Sequence, residues 1–507
     1  MKKNWFYLFA LICSVALFTA CSDDEDTSWQ QIPQTEITVG ENATLTVNGE
    51  TATTGSVQMT VNDATSGVLT LNNVVPGYNE VQVNVVLEKQ ADNTFNFSGS
   101  ADINTAPATK TLRDEPAILT VEVEGTISLE GQVSVAVTTS GLGLYAGTYT
   151  ADQLALTYGG VVMDGKSVTF DIIDAQTATI TLEGADNELL SALVGSSVKN
   201  PGVVPGEAST VLNVTLTSEG TTGYSFEGTD ESNGRTLNYT GSIEAGKLTL
   251  DVNATFSNDL IGTWNLVPVP TDASETVYPI HSIWQSNKGI EIFPGFEMPM
   301  ETILSLALRM PVVDGQSACQ MLTTVLQSVT FGADGNLVAS YSDAANVASP
   351  SWQDSPVGLV QYCVKDGQLL AYLDINTIIT ALTSPSTRAT TDDLLAELLP
   401  LLLAHMGEIA PMLSQGIPLS YSADASTGVL TVYIDQTGLG GVVLGILNEV
   451  VNNAELMAMI AELASSSMGS DNSLASMLPA ILEQLPEVVA GTTTLELGLN
   501  FNPATAE

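Results

Sequence analysis

Residues 37 to 140 alternate apolar and polar positions over short runs: SVQMTVND (56 to 63), GVLTLNN (67 to 73), EVQVNVVLEK (80 to 89), NTFNFSGS (93 to 100) and QVSVAVTTS (132 to 140). Alternation at period two, interrupted by Gly, Asn and Asp, turns one side of each run toward a core and the other toward water. It predicts half-buried antiparallel strands. The pattern then returns. SVQMTVNDATSGVLTL (56 to 71) lines up without a gap on SVTFDIIDAQTATITL (167 to 182), setting Val57 on Val168, Met59 on Phe170, Asp63 on Asp174 and Leu71 on Leu182. VNVVLEKQADNTFNFSG (83 to 99) matches LNVTLTSEGTTGYSFEG (212 to 228), and Gly125, Ile127, Val133, Val135 and Val137 match Gly241, Ile243, Leu248, Leu250 and Val252. The offset, on the order of 110 to 130 residues, is too long for a solenoid unit and fits a repeated independent domain. The second copy also carries an insertion, NELLSALVGSSVKNPGVVPGE (187 to 207), that reads as a short helix and loop, either a tolerated elaboration or a place for binding.

A third region from 259 onward mixes two patterns. QSVTFGADGNLVASYSD (327 to 343), GLVQYCVKDGQLLAYLDI (358 to 375) and IPLSYSADASTGVLTVYID (417 to 435) read as hairpins turning at Asp334-Gly335, Asp366-Gly367 and Ser426-Thr427-Gly428, with a further strand at 492 to 501. Between them lie apolar helical stretches: one capped by Thr391 and rich in Leu from 394 to 403, one over 442 to 464, and one with a stripe from Leu474 to Val489. Such helices either complete the core or form a lid over an apolar pocket. Pro400, Pro411, Pro479 and Pro486 interrupt the runs and argue against membrane insertion.

Charge changes the picture of partners. With 57 acids, 13 bases and a formal charge of -44, the chain has no basic surface to neutralise phosphates, which excludes nucleic acid as a partner. Aromatic content of 6% argues against extended sugar-stacking platforms. Two histidines, His281 and His405, and the absence of His-Glu-x-x-His, Cys-x-x-Cys and Gly-x-Ser-x-Gly leave no recognisable catalytic or metal-binding set and imply no cofactor. GLGGVVLG (438 to 445) follows a strand, but lacks both a parallel βαβ setting and a phosphate-binding Lys. The acid-rich turn Thr229 to Gly234 departs from EF-hand spacing and reads as a solvated loop. Cys319 and Cys363, the two cysteines of the folded part, could form a disulfide or remain buried thiols.

At the start of the chain, Lys2 and Lys3, an apolar run from Trp5 to Phe18, and Thr19-Ala20 have the layout of a signal peptide, too short for the roughly 20 residues of a membrane-spanning helix. Cys21 directly after Phe-Thr-Ala resembles the lipobox of bacterial lipoproteins, with Phe18 where Leu is usual. The resemblance implies that Cys21 is the lipidated mature N-terminus. Ser22, Asp23, Asp24, Glu25 and Asp26 resemble the export signal of Bacteroides-type surface lipoproteins, which implies an outer-membrane location facing the cell exterior. The alternative is a solvated acidic tether on a periplasm-facing anchor.

Leu260-Ile261-Gly262-Thr263-Trp264 echoes Tyr145-Ala146-Gly147-Thr148-Tyr149. This Gly-x-aromatic opening resembles the first strand of calycin (lipocalin-like) barrels, and the whole chain resembles Bacteroides-type lipoproteins that join such barrels to a larger C-terminal domain of unknown function. The expected fold is therefore mainly β: tandem calycin-like antiparallel β-barrels, the third elaborated with apolar α-helical insertions, with two-sheet sandwiches as the alternative. The expected organisation is a signal peptide (1 to 20), an acidic tether (21 to 36), barrel repeats at 37 to 140 and 141 to 258, and a larger domain at 259 to 507. Two classes of function follow. One is a non-enzymatic binding or interaction protein, held to the membrane by its lipid and meeting a protein partner or a small apolar ligand, including as carrier or sensor in the third domain. The other is a hydrolase with dispersed carboxylates, which no paired acids in the sequence support.

Overall fold

The computed structural model describes residues 26 to 504 except 41, 76–77, 104–118, 219–222, 245, 273, 312–314, 344–348, 374–399 and 468–472. The fold is mainly β, with helices confined largely to the C-terminal half, and the chain forms two compact units, Met1–Leu144 and Tyr145–Glu507.

In the first unit, strands Ser56–Asp63, Ser66–Asn72, Glu80–Lys89, Phe95–Ile103, Leu119–Ile127 and Val133–Ser140 run as an antiparallel meander. One N-terminal segment closes it. Ile37–Thr38 pairs antiparallel with Ser56–Asp63, the chain kinks at Gly40 (φ 93°), and Ala43–Val47 then pairs parallel with Val133–Ser140. A parallel pair departs from the expected all-antiparallel order, and parity explains it. Six alternating strands leave the first and last pointing in opposite directions, so a seventh that is antiparallel to the first is necessarily parallel to the last. Closure hides the sheet edges that an open meander would expose. The inward side chains, among them Leu45, Val57, Met59, Leu69, Leu71, Val83, Leu87, Phe95 and Val121, are all but fully buried and fill the barrel as one core.

The second repeat follows the same plan. Gly147–Thr150 pairs antiparallel with Lys166–Ile172, and Leu154–Tyr158 pairs parallel with Lys247–Phe256, as the register Leu154↔Leu248 shows. Its ladder is interrupted between Ser209–Thr215 and Gly223–Ser232, which leaves curled sheets of four and six strands. A small device recurs in both repeats: Phe97 lies directly across the ladder from Gly125, and Phe226 from Gly241. A Cβ on Gly125 would come within 2.6 Å of Phe97 Cζ, and one on Gly241 within 2.6 Å of Phe226 Cζ. The rings therefore lie over the space left by the missing side chains.

The third set of strands has a different parity. Gly262–Leu266, Leu326–Phe331, Leu337–Tyr341, Val360–Lys365, Gln368–Leu373, Ile417–Ala423, Leu430–Asp435 and Thr492–Pro503 neighbour one another in chain order, and the last returns to the first through Trp264↔Pro503. An Asn336↔Gln361 bridge joins the third of these strands to the fourth. An even ring can be antiparallel throughout, and this one is. The echo between its opening and that of the second repeat is structural. Gly147 (φ 149°) and Gly262 (φ 136°) take backbone conformations suited to glycine. Thr148 meets Thr169 at 2.9 Å and Thr263 meets Thr330 at 3.0 Å. Tyr149 Oη donates to the Tyr145 carbonyl at 2.7 Å, and Trp264 Nε1 to the Leu260 carbonyl at 2.8 Å. The predicted turn Asp366-Gly367 has φ of 53° and 78°, the left-handed pair of a tight two-residue hairpin.

The helices are core. Met300–Arg309, Leu439–Val451 and Ser473–Ala490 bury Ile303, Val451, Val488 and Val489 against Trp284 and Leu495, while the barrel's own interior is filled by Phe331, Tyr362, Leu369, Leu430 and Phe501. Among the described residues no single helix is long and apolar enough to cross a membrane, although the bent pair Leu439–Val451 and Ala454–Glu462 passes by length and composition. The predicted helix capped by Thr391 lies outside the described residues as far as position 399. In GLGGVVLG, a Cβ on Gly440 would sit 2.3 Å from the Asp435 carbonyl and one on Gly441 2.7 Å from that of Gln436. These glycines let the chain turn tightly from strand Leu430–Asp435 into helix Leu439–Val451.

Candidate functional site

The insertion at 187 to 207 is where the second and third barrels meet. Asn187 caps helix Glu188–Val194 by accepting from the Leu190 amide at 2.9 Å, and Gly195 ends it at φ 74°. The helix places Leu190, Val194 and Val198 against Met406, Ile409 and Leu413 of the helix Met406–Gln415. Beyond the helix, Lys166 Nζ donates to the carbonyls of Pro201 and Gly202 at 2.8 and 3.0 Å, and Val203 and Val204 are buried. Further along, Glu207 receives Arg235 in a two-pronged ion pair, Nε to Oε1 and Nη2 to Oε2 both at 3.0 Å. The remaining Arg235 nitrogen donates to Asp230 Oδ2 at 2.6 Å. The turn read as a solvated acidic loop is thus a hairpin turn at Asn233-Gly234 (φ 52° and 74°) with one acid held by a buried guanidinium.

Across the seam, Val360–Lys365 and Gln368–Leu373 turn Tyr362 into their own barrel core and Gln361, Cys363 and Tyr372 away from it, toward the second barrel. Tyr158 crosses to donate to the Asp334 carbonyl at 2.6 Å, and the Phe256 amide donates to the Ala333 carbonyl at 2.7 Å. Gly206 lies so close to Cys363 that a Cβ there would be 2.8 Å from Sγ. Two concavities remain on either side of Tyr372 and Asn200. One, of about 340 Å³, is lined by Val161, Val162, Lys166, Val357, Leu359 and Gln361 among others. The second, of about 640 Å³, runs past Lys199, Glu207, Lys365, Met412 and Pro418.

Burial pushes the phenols of Tyr158 and Tyr372 far above their ordinary range, that of Tyr362 up to about 12, and the Cys363 thiol upward as well. Groups held in their neutral forms are hydrogen-bond donors rather than nucleophiles. Among the described residues three buried polar side-chain atoms have no partner, and two of them belong to one bridge: Gln361 Nε2, on a residue lining the smaller cleft, and Asn336 Oδ1, on its bridge partner; the third is Gln316 Oε1. An unpaired buried amide is a strong signal because nearly all such groups in native proteins are satisfied.

The residues singled out in the sequence are dispersed. Cys21, Ser22, Asp23, Asp24 and Glu25 lie outside the described residues. Asp26 is fixed to the first barrel, 2.7 Å from Lys89 Nζ, and accepts from the Ser28 amide and hydroxyl. Trp29 packs on the barrel core and Ile32 enters it, so the expected tether is docked from Asp26 onward. The possible disulfide is not formed. Cys319 is buried in helix Ala318–Val325, and Cys363 is buried at the seam beside Tyr372, 3.9 Å from its Oη. His281 Nε2 meets Glu496 at 2.9 Å, and His405 bridges Glu408 and Glu449 at 3.3 and 3.2 Å. Among the described residues no group of three or more His, Cys, Asp or Glu converges as a metal site.

Asp26 supplies a pH-dependent result. Its pairing with Lys89, helped by the Ser28 hydrogen bonds, lowers its pKa from 3.8 to about 2. A lowered carboxylate supports the docked segment above the ordinary carboxylate range and loses that support as pH falls through its own pKa. In NMR titration the Asp26 carboxyl should titrate near 2 in the native chain and higher in Lys89→Met.

No protein-family model matches the chain, and no curated protein matches it. A solved structure, the crystal structure of a "putative outer membrane protein" from Bacteroides fragilis, aligns with 42% of this chain and 87% of its own at 14% identity and a TM-score of 0.18. At that score the likeness carries no argument about fold or function.

Proposed function

We propose that the chain is a lipid-anchored, surface-displayed binding protein without a catalytic cycle, held at Cys21 and binding at the seam between its second and third barrels. The cleft carries this reading: it joins apolar banks to an unpaired buried donor, beside phenols and a thiol held neutral. The packed interior of the third barrel, with its helices serving as core, favours the seam over that barrel's lumen as the place for a ligand. We read the eight-stranded up-and-down order of the third barrel as calycin-like. The anchor and its orientation rest on the lipobox-like Cys21 and the acids after it.

Cells expressing the chain should incorporate labelled palmitate into it, and Cys21→Ser should abolish the label. Protease added to intact cells should digest the native chain. Retention of label by Cys21→Ser would remove the anchor, and protection until the cells are lysed would remove surface display.

A further inference from the structure

We infer that the smaller seam cleft takes a small molecule made of a short branched apolar body and an acyl oxygen, with Gln361 Nε2 donating to that oxygen. The inference rests on the reading of the seam as a binding site and names the chemistry that the site selects. Two independent features converge there. Gln361 is only 7% exposed, and its Nε2 has no acceptor. A buried donor without a partner costs stability, and a ligand acceptor restores what is missing. Val162 and Val357 are 70% and 46% exposed, one on each barrel, and both line the cleft. Apolar side chains left in water on both banks of one concavity are what an apolar ligand body would cover. The charged side chains at the wall oppose each other in sign, Asp164 and Lys166, the latter with its ammonium held by the Pro201 and Gly202 carbonyls, so the choice of an acyl oxygen rests on the Gln361 donor. A bound water would satisfy Gln361 but would leave the valines uncovered. The volume of about 340 Å³ limits the guest to a small molecule.

The test titrates the full chain with isovaleramide, isovalerate and isopentylamine by saturation-transfer NMR. These probes share one branched body and differ in the head. We expect saturable binding of the amide or the carboxylate, whichever of the two shows the preferred acyl source, and little binding of the amine. Gln361→Leu should weaken that binding by about tenfold or more, the worth of one good hydrogen bond. Its melting temperature should be unchanged or higher, because an unpaired buried donor has been removed. Val162→Asp, at an exposed position, should abolish binding without affecting the fold. Equal binding of isopentylamine, or binding indifferent to Gln361→Leu, would overturn the acyl assignment and leave the cleft a binding site, provided Val162→Asp still abolishes it. If none of the three probes binds, both the ligand class and the seam as a binding site fall.

Discussion

Arg235→Leu is expected to destabilise the Tyr145–Glu507 unit by about 3–5 kcal/mol, the usual consequence of removing one member of a buried ion pair. The Arg235 side chain is 1% exposed, and its two partners, Glu207 and Asp230, are 10% and 31% exposed. Without the guanidinium, Glu207 keeps only the Thr210 hydroxyl and the Asn233 amide as side-chain donors, and its insertion loses the fork that holds it to strand Arg235–Glu244. Arg235→Lys should recover little, because an ammonium cannot span two carboxylate oxygens. Arg235→Met combined with Glu207→Gln and Asp230→Asn should recover much of the loss, since neutral side chains carry no desolvation cost of charge. Urea unfolding measures each variant, and a loss below about 1 kcal/mol for Arg235→Leu would contradict this account. The pH dependence has a definite sign. The Ser232 hydroxyl first, and then Arg235, hold the Asp230 carboxyl below its ordinary range. Its contribution is full above that range and is lost as pH falls through the lowered value, so Arg235→Leu should flatten part of the acid limb of the stability profile.

Gly125→Ala is expected to cost the first unit about 3 kcal/mol, the upper end for overpacking a closed core. Its Cβ would stand 2.1 Å from the Ser134 carbonyl oxygen as well as 2.6 Å from the Phe97 ring. The ring can swing aside, whereas the carbonyl belongs to the neighbouring strand and moves only with its ladder. Gly241→Ala, 2.6 Å from both the Thr249 carbonyl oxygen and the Phe226 ring, should cost less. Each substitution strikes a different compact unit, so calorimetry should show Gly125→Ala lowering one transition and leaving the Tyr145–Glu507 transition in place. A cycle with Phe97→Leu separates the two contacts at Gly125. The double variant should recover the ring's share of the loss and retain the carbonyl's.

Much of the architecture was legible because it rests on local pattern. Alternation located the strands of both repeats, and Asp366-Gly367 announced its hairpin because only a few residues tolerate paired left-handed dihedrals. The alignment of Gly147-Thr148-Tyr149 with Gly262-Thr263-Trp264 carried over to matching hydrogen bonds. What escaped depends on partners distant in sequence. Helix Ala318–Val325 did leave a signature, Ser317-x-x-Gln320, whose reciprocal hydrogen bonds of 3.2 and 2.8 Å form a capping box, but its apolar run is short. Gln361 sits at an outward position of an ordinary alternating strand, and only the approach of the second barrel buries it. The acids from Thr229 to Gly234 gave no hint that Arg235 would face inward and claim Asp230 and Glu207 together.

The two kinds of ring closure set different folding schedules. The first barrel closes when Ala43–Val47 finds Val133–Ser140, a separation of roughly 90 residues, whereas the third must bring Trp264 to Pro503, roughly 240 residues later. A chain emerging N-terminus first can therefore complete its first barrel while the last strand is still to come. The strand Gly262–Leu266 has to wait, its edge on the Thr492–Pro503 side unpaired, until the end of the sequence arrives. Loss of residues 492 to 503 would accordingly remove the final stave, leaving the third barrel an open sheet while sparing a first barrel already closed.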